Sequence, residues 1–209
     1  MTRIAILDYG MGNLRSVEKA LERVGAEAEI TADRERVESA DGVILPGVGA
    51  FPKAMGRVHE IGLDELVEGR VAAGVPVLGI CLGMQLLFDS SVENEGASGL
   101  SLLGGIVAPL EANGYKVPHI GWSPVRWEHS SELTEGLGEE TPFYFVHSFA
   151  PQPIAGDLLG SAEYGERFAC AVQAGNLFGV QFHPEKSSAA GLRLLSNFAG
   201  ISARVATAA

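Results

Sequence analysis

The chain has 209 residues, 15 Lys or Arg against 26 Asp or Glu, a formal net charge of −11, and 46% hydrophobic residues with 20% charged. One full domain with a proper core fits that length, and the apolar fraction excludes disorder. The acidic balance disfavours affinity built on neutralising nucleic-acid phosphates or an anionic membrane surface, so a small molecule or a protein partner is expected.

In chain order, residues 3–8 form an apolar run entering the Gly-rich turn Tyr9-Gly10-Met11-Gly12-Asn13, the hand-over of a buried parallel strand to a helix. Leu14, Val17, Leu21 and Val24 recur at helical spacing up to Gly25, which stops a helix well. The pattern repeats as a strand over 26–31, a weak helix over 33–40, a strand over 42–46, a helical region around Leu63, Leu66, Val67 and Val71, and a strand over 75–80. This alternation predicts an open, mostly parallel sheet with helices on both faces. Residues 71–88 carry no charge, but Gly74, Pro76, Gly79, Gly83 and Gln85 punctuate them, so they read as strand, turn and helix start rather than a membrane span. The N-terminus lacks the apolar region of a secretory signal.

After about residue 100 the texture changes to short strand-like runs at 106–110, 143–149, 169–173 and 177–182. They predict antiparallel additions to the sheet. A last helix is expected over 189–199. Residues 1–201 form one domain in this reading, and 202–209 form a frayed tail.

Gly79-Ile80-Cys81-Leu82-Gly83 sits where the fourth predicted strand meets a helix. Flanking glycines allow a tight, strained turn that thrusts a nucleophile out at the carboxyl edge of the sheet, where open α/β sheets bind ligands. The start of a helix also favours thiolate over thiol. A nucleophilic cysteine needs a base, and the base an orienting group. Phe182-His183-Pro184-Glu185 offers both, because residues two apart on extended backbone share a face. His147, in an aromatic strand, competes as base but has no acid close in sequence; His59, His119 and His129 lack such company too. Cys170 has no glycine turn and reads as inert core. Neither cysteine belongs to a CxxC pattern, so no metal or disulfide is expected, and a reducing cytoplasmic compartment fits. The loop Gly47-Val48-Gly49, after the third strand, can present backbone N–H groups to an oxyanion; it lacks the Lys-Ser/Thr of a phosphate-binding loop.

PGVGAF, GICLGMQLLF and VQFHPEKS, in this order and spacing, resemble the triad (class I) glutamine amidotransferases over essentially the whole chain. DYGMGNL, Pro118-His119-Ile120-Gly121-Trp122 and Tyr144-Phe145-Val146-His147-Ser148 look more narrowly like the glutaminase subunits of imidazole glycerol phosphate synthases. The resemblance implies a flavodoxin-like sheet and hydrolysis of glutamine, with Cys81, His183 and Glu185 as triad. It implies an oxyanion hole from the backbone N–H of Leu82 and the loop at Gly47, Val48 and Gly49, and no cofactor. Substrate contacts carry over to Gly47, Gln85, Glu93, Ser148 and Phe149; Asp89 and Glu95 compete with Glu93, and Phe149 stands where a tyrosine is frequent. The partner implied is a (β/α)8-barrel cyclase, paired as a heterodimer through Asn13, Pro118, Trp122, Tyr144 and Lys186, although Trp122 also has a plain core reading. Other triad amidotransferases, of anthranilate, aminodeoxychorismate or pyridoxal phosphate synthesis, are the alternative.

Overall fold

Alternating strands and helices build the N-terminal half. The computed structural model describes residues 1–154 and 156–208. It runs β1 (Arg3–Leu7), α1 (Leu14–Arg23), β2 (Glu27–Thr31), α2 (Arg34–Glu38), β3 (Gly42–Gly47), α3 (Phe51–Glu60), α4 (Leu63–Ala72), β4 (Val77–Cys81) and α5 (Leu82–Leu86). The remainder is β5 (Phe88–Ser91), β6 (Ala97–Ser98), β7 (Leu103–Pro109), β8 (His119–Trp127), β9 (Glu140–His147), β10 (Phe149–Pro153), β11 (Leu158–Tyr164), β12 (Glu166–Ala174), β13 (Leu177–Val180) and α6 (Ser188–Ala208).

Nine strands form one sheet in the order β2-β1-β3-β4-β13-β12-β11-β8-β9, and β10-β7-β5-β6 form a second. Strands β2, β1, β3, β4 and β13 are parallel; β12, β11, β8 and β9 add on antiparallel. The expected α/β, flavodoxin-like architecture with antiparallel additions is what the chain adopts. Because side chains alternate along a strand, each parallel strand feeds two cores. Ile4, Ile6, Ile44, Leu78 and Ile80 pack with Val17 and Leu21 of α1 and Leu194 and Phe198 of α6. Ala5, Leu7, Val43, Leu45 and Val77 pack with Phe51, Val58 and Leu66 on the other face. Every residue of β3, β4 and β13 is buried, as a parallel sheet covered on both faces requires.

Three local expectations change. Helix α3 falls between the Gly47-Val48-Gly49 loop and the helical region at Leu63, where the sequence reading assigns no element, yet its buried residues Phe51, Ala54, Met55 and Val58 have helical spacing, and a proline in the first turn costs a helix nothing. The run at 143–149 is two strands, broken at Ser148, where the chain leaves the large sheet for the small one. The expected tail is helix from Ser202 to Ala208; Ser202 is fully buried and its hydroxyl donates to the Phe198 carbonyl at 3.0 Å. Ala209 lies outside the described residues. Among those described, no helix is long and apolar enough to cross a membrane.

Candidate active site

Three adjacent parallel strands bring the chemistry together. Pro46 of β3 pairs with Ile80 of β4, which pairs with Val180 of β13, and Gly47 is the register partner of Cys81. The loop after β3, the cysteine ending β4 and the His-Pro-Glu segment after β13 therefore emerge side by side at one sheet edge. Segments 100 residues apart meet because β13 returns parallel beside β4.

Cys81 adopts φ 55° and ψ −113°, a conformation that a residue with a Cβ takes only under strain. The turn is tight because α5 is folded back on the sheet. A Cβ on Gly79 would lie 2.7 Å from the Met84 backbone, and one on Gly83 would overlap the Leu45 carbonyl. Both glycines are thus required by close approach. Helix α5 spans only five residues, too short for a long helix dipole to act on the thiol.

The His183 Nδ1–H donates to Glu185 Oε1 at 2.9 Å, with the two side chains 4% and 1% exposed. That bond leaves Nε2 for Cys81. Burial opposes charge on the imidazole, but hydrogen bonds to Cys81 and Glu185 and their negative charges outweigh it and raise its pKa from 6.5 to about 9. A cysteine, an imidazole that favours its protonated form beside it, and a buried carboxylate fixing the tautomer form a complete nucleophilic triad.

His147, the competing base, is engaged elsewhere. Its Nδ1–H donates to the Phe149 carbonyl at 2.9 Å, so its Nε2 accepts from His119 Nδ1 at 3.0 Å, and His119 Nε2 lies 3.0 Å from Ser123 Oγ. Both rings are buried, and burial lowers each pKa from 6.5 to about 4. A neutral pair locked in one tautomer sequence supports the wall instead of accepting the thiol proton. Cys170 is fully buried, and burial pushes its thiol well up.

A cavity of about 290 Å³ opens over Cys81 and His183. Val48, Gly49, Leu82, Gln85, Glu93, Ser148 and Phe149 line it, as do Pro118 and Lys186 at the rim. Gly47, Asn13, Trp122 and Tyr144 do not. Gly47 packs behind the loop, where Tyr9 donates its hydroxyl to the Pro46 carbonyl at 2.7 Å. Of the three competing acids only Glu93 reaches the cavity; one of its oxygens accepts from the Phe51 N–H at 2.7 Å, capping α3. Asp89 accepts from the Gly105 N–H at 2.9 Å, and Glu95 is exposed. Gln85 Nε2 donates to the Phe149 carbonyl at 3.0 Å and to Gln181 Oε1 at 2.9 Å. Both its hydrogens are used, so its own oxygen is what remains for a ligand.

Two supporting residues escaped the sequence reading. Gln181, fully buried, reaches Cys81; its position two residues before His183, on the same strand face, was the available signal. Ser187 accepts from the Tyr144 N–H at 3.0 Å and donates to the His183 carbonyl at 2.7 Å, while the His183 N–H donates to the Tyr144 carbonyl at 2.9 Å. These bonds fix the His-Pro-Glu turn to β9.

The outer face of β8 and β9 beside the cavity is apolar. Trp122 and Ile120 are 52% and 59% exposed, and Val48 in the loop 42%. Trp122 pairs across the strands with Tyr144, ring centroids 5.9 Å apart, so the core reading of Trp122 is excluded.

Comparison with known proteins agrees with this geometry. The class-I glutamine amidotransferase family model matches residues 5–200. A Moorella thermoacetica protein named imidazole glycerol phosphate synthase subunit HisH is 52% identical over 199 residues, covering 95% of this chain and 94% of the relative. A Bacillus cereus protein of the same name is 48% identical over 198 residues, with the same coverage. Among solved structures, a chain of PurLQS from Thermotoga maritima superposes with a TM-score of 0.75 at 18% identity, covering 96% of this chain and 98% of that one. The Trypanosoma brucei CTPS glutaminase domain does so with 0.69 at 16%, covering 99% and 94%; at such identities the likeness concerns the fold. The chain belongs to the class-I glutamine amidotransferases, within the group of imidazole glycerol phosphate synthase subunits HisH.

Proposed function

We propose that this glutaminase subunit hydrolyses glutamine at Cys81 and delivers the ammonia to a cyclase subunit of (β/α)8-barrel fold, as a heterodimer in the cytoplasm. The observation that carries the reading is the joining of Cys81, His183 and Glu185 at one sheet edge beneath a cavity.

Cys81 Sγ attacks the side-chain carboxamide carbon of glutamine. His183 carries the thiol proton and returns it to the departing nitrogen, so ammonia leaves and a γ-glutamyl thioester remains on Cys81. The same imidazole, now neutral, takes a proton from water, which attacks the thioester; glutamate leaves and the thiolate is restored. Glu185 keeps Nδ1 protonated and Nε2 aimed at the reacting atoms throughout. Each tetrahedral intermediate bears an oxyanion, for which the Leu82 N–H and an N–H of the Gly47-Val48-Gly49 loop are the donors. In the cavity Glu93 meets the substrate amine, the Gln85 oxygen accepts from the substrate, and the backbone at Ser148 and Phe149 meets its carboxylate.

Free ammonia at neutral pH protonates and diffuses away, so the product needs direct transfer. The exposed Val48, Ile120 and Trp122 and the half-buried Tyr144 beside the cavity, with Asn13, Pro118 and Lys186, suit a partner surface with aromatic anchors. Uncoupled hydrolysis would waste glutamine, and Val48 stands in the oxyanion loop lining the cavity; the isolated chain is therefore expected to turn over slowly until the cyclase and its ligand are present. The test is glutamate release from glutamine by the complex. Cys81→Ala should abolish it, and full turnover in that variant overturns the mechanism.

A further inference from the structure

We propose that Gln181 is a positioning residue for the nucleophile: its carboxamide N–H holds Cys81 Sγ, in an orientation locked by Gln85. The proposal rests on the reading of Cys81 as the attacking group.

Gln181 follows the last residue of β13, and the register Val180 to Ile80 places it beside Cys81. Its side chain is wholly buried, so water does not satisfy it and protein groups must. Its Nε2 lies 3.7 Å from Cys81 Sγ. A carboxamide could flip and turn its oxygen toward sulfur, where it would repel a thiolate. Gln85 prevents this: its Nε2 donates to Gln181 Oε1 at 2.9 Å and to the Phe149 carbonyl at 3.0 Å. The second bond ties Gln85 to backbone, so the direction of every amide in the row is fixed, ending with N–H groups aimed at sulfur.

The other neighbours make that donor consequential. The Val146 carbonyl lies 3.8 Å from Sγ; it accepts an S–H but repels a thiolate. Of the titratable groups around the sulfur, His183 donates to it, with Glu185 behind the imidazole. Tyr9 spends its hydroxyl on the Pro46 carbonyl. His147 is held neutral by burial, and Glu93 and Lys186 line the cavity. Gln181 is thus the neutral donor that favours thiolate over thiol against the Val146 carbonyl, and that releases its hold when sulfur becomes an uncharged thioester.

The experiment measures, on the full chain, the pH dependence of Cys81 alkylation by iodoacetamide, read by peptide mass spectrometry, together with kcat and KM for glutamine in the synthase complex. In Gln181→Met, which keeps length and loses the donor, the alkylation midpoint should rise by roughly one pH unit and kcat fall by roughly tenfold or more, with KM little changed. Gln181→Glu, of the same shape, should move the midpoint further upward, because an oxygen then faces sulfur; it also serves if the Met variant does not fold. Gln85→Met should raise the midpoint as well by releasing the amide. Unchanged midpoint and kcat in a folded Gln181→Met or Gln181→Glu overturns the proposal. If Cys81→Ala is inactive while those variants behave as wild type, only the role of Gln181 fails; if Cys81→Ala is active, the nucleophile itself is misassigned.

Discussion

The elbow at Cys81 makes a prediction whose sign is opposite to the ordinary rule. Replacing an alanine by glycine commonly destabilises a protein by about 0.5–1 kcal/mol, because glycine loses more backbone freedom on folding. At φ 55° and ψ −113° a residue with a Cβ stores about 1–3 kcal/mol of strain, and glycine relieves it. Comparing Cys81→Gly with Cys81→Ala cancels the loss of the buried sulfur, which both variants share. The difference left is the strain minus the glycine entropy, so the glycine variant should be the more stable, by about 1 kcal/mol. Urea unfolding followed by tryptophan fluorescence and circular dichroism measures it, with the slopes compared to establish that both variants unfold alike. A Cys81→Gly protein less stable than Cys81→Ala would refute the claim that the nucleophile sits on a strained turn.

Glu185→Gln keeps the shape and removes the charge that orients His183; kcat should fall by roughly 10²–10⁴ with little change in KM, and the imidazole pKa should drop below its present value of about 9, both accessible from initial rates and NMR titration. His119 and His147 are neutral in the fold, with pKa values near 4 against 6.5 for the free side chain. The unfolded chain therefore binds more protons between those values, so the stability these rings contribute is full above pH 6.5 and lost as pH falls toward 4. His183, raised above 6.5, contributes stability that is full below 6.5 and lost as pH rises through 9, so it leaves the acid window unchanged; His119→Asn should flatten the loss in urea midpoints between pH 6.5 and 4, and an unaltered slope would contradict the assignment. Trp122→Ala should weaken cyclase binding by about 2 kcal/mol or more while leaving the stability of the free chain within about 0.5 kcal/mol, measured by calorimetry and by thermal unfolding.

The parallel half of the fold was legible because its strands are short apolar runs bounded by glycine and its helices, α1 above all, repeat at 3.6. The triad was legible for a related reason: tight turns demand glycine on both sides of Cys81, and extended backbone sets His183 and Glu185 on one face. Helix α3 was hidden by Pro52 and the glycines around it, although the apolar spacing of Phe51, Ala54, Met55 and Val58 was present. The tail from Ser202 reads as frayed, yet Ser202 returns its hydroxyl to the helix backbone and is buried at no unsatisfied cost. Long-range pairings stayed invisible. Nothing in one sequence says that β13 lies beside β4, that His119 faces His147 across β8 and β9, or that Gln85 and Gln181 meet end to end, since those contacts arise only from the order of strands in the sheet.

The most direct test of the central claim is capture of the covalent intermediate. The synthase complex, supplied with glutamine and quenched in acid during turnover, is digested and its cysteine peptides weighed. A γ-glutamyl adduct on the Cys81 peptide, absent from the Cys170 peptide, is the expected result. Glutamine turnover that continues in Cys81→Ala with no adduct at position 81 in the wild type would contradict the account.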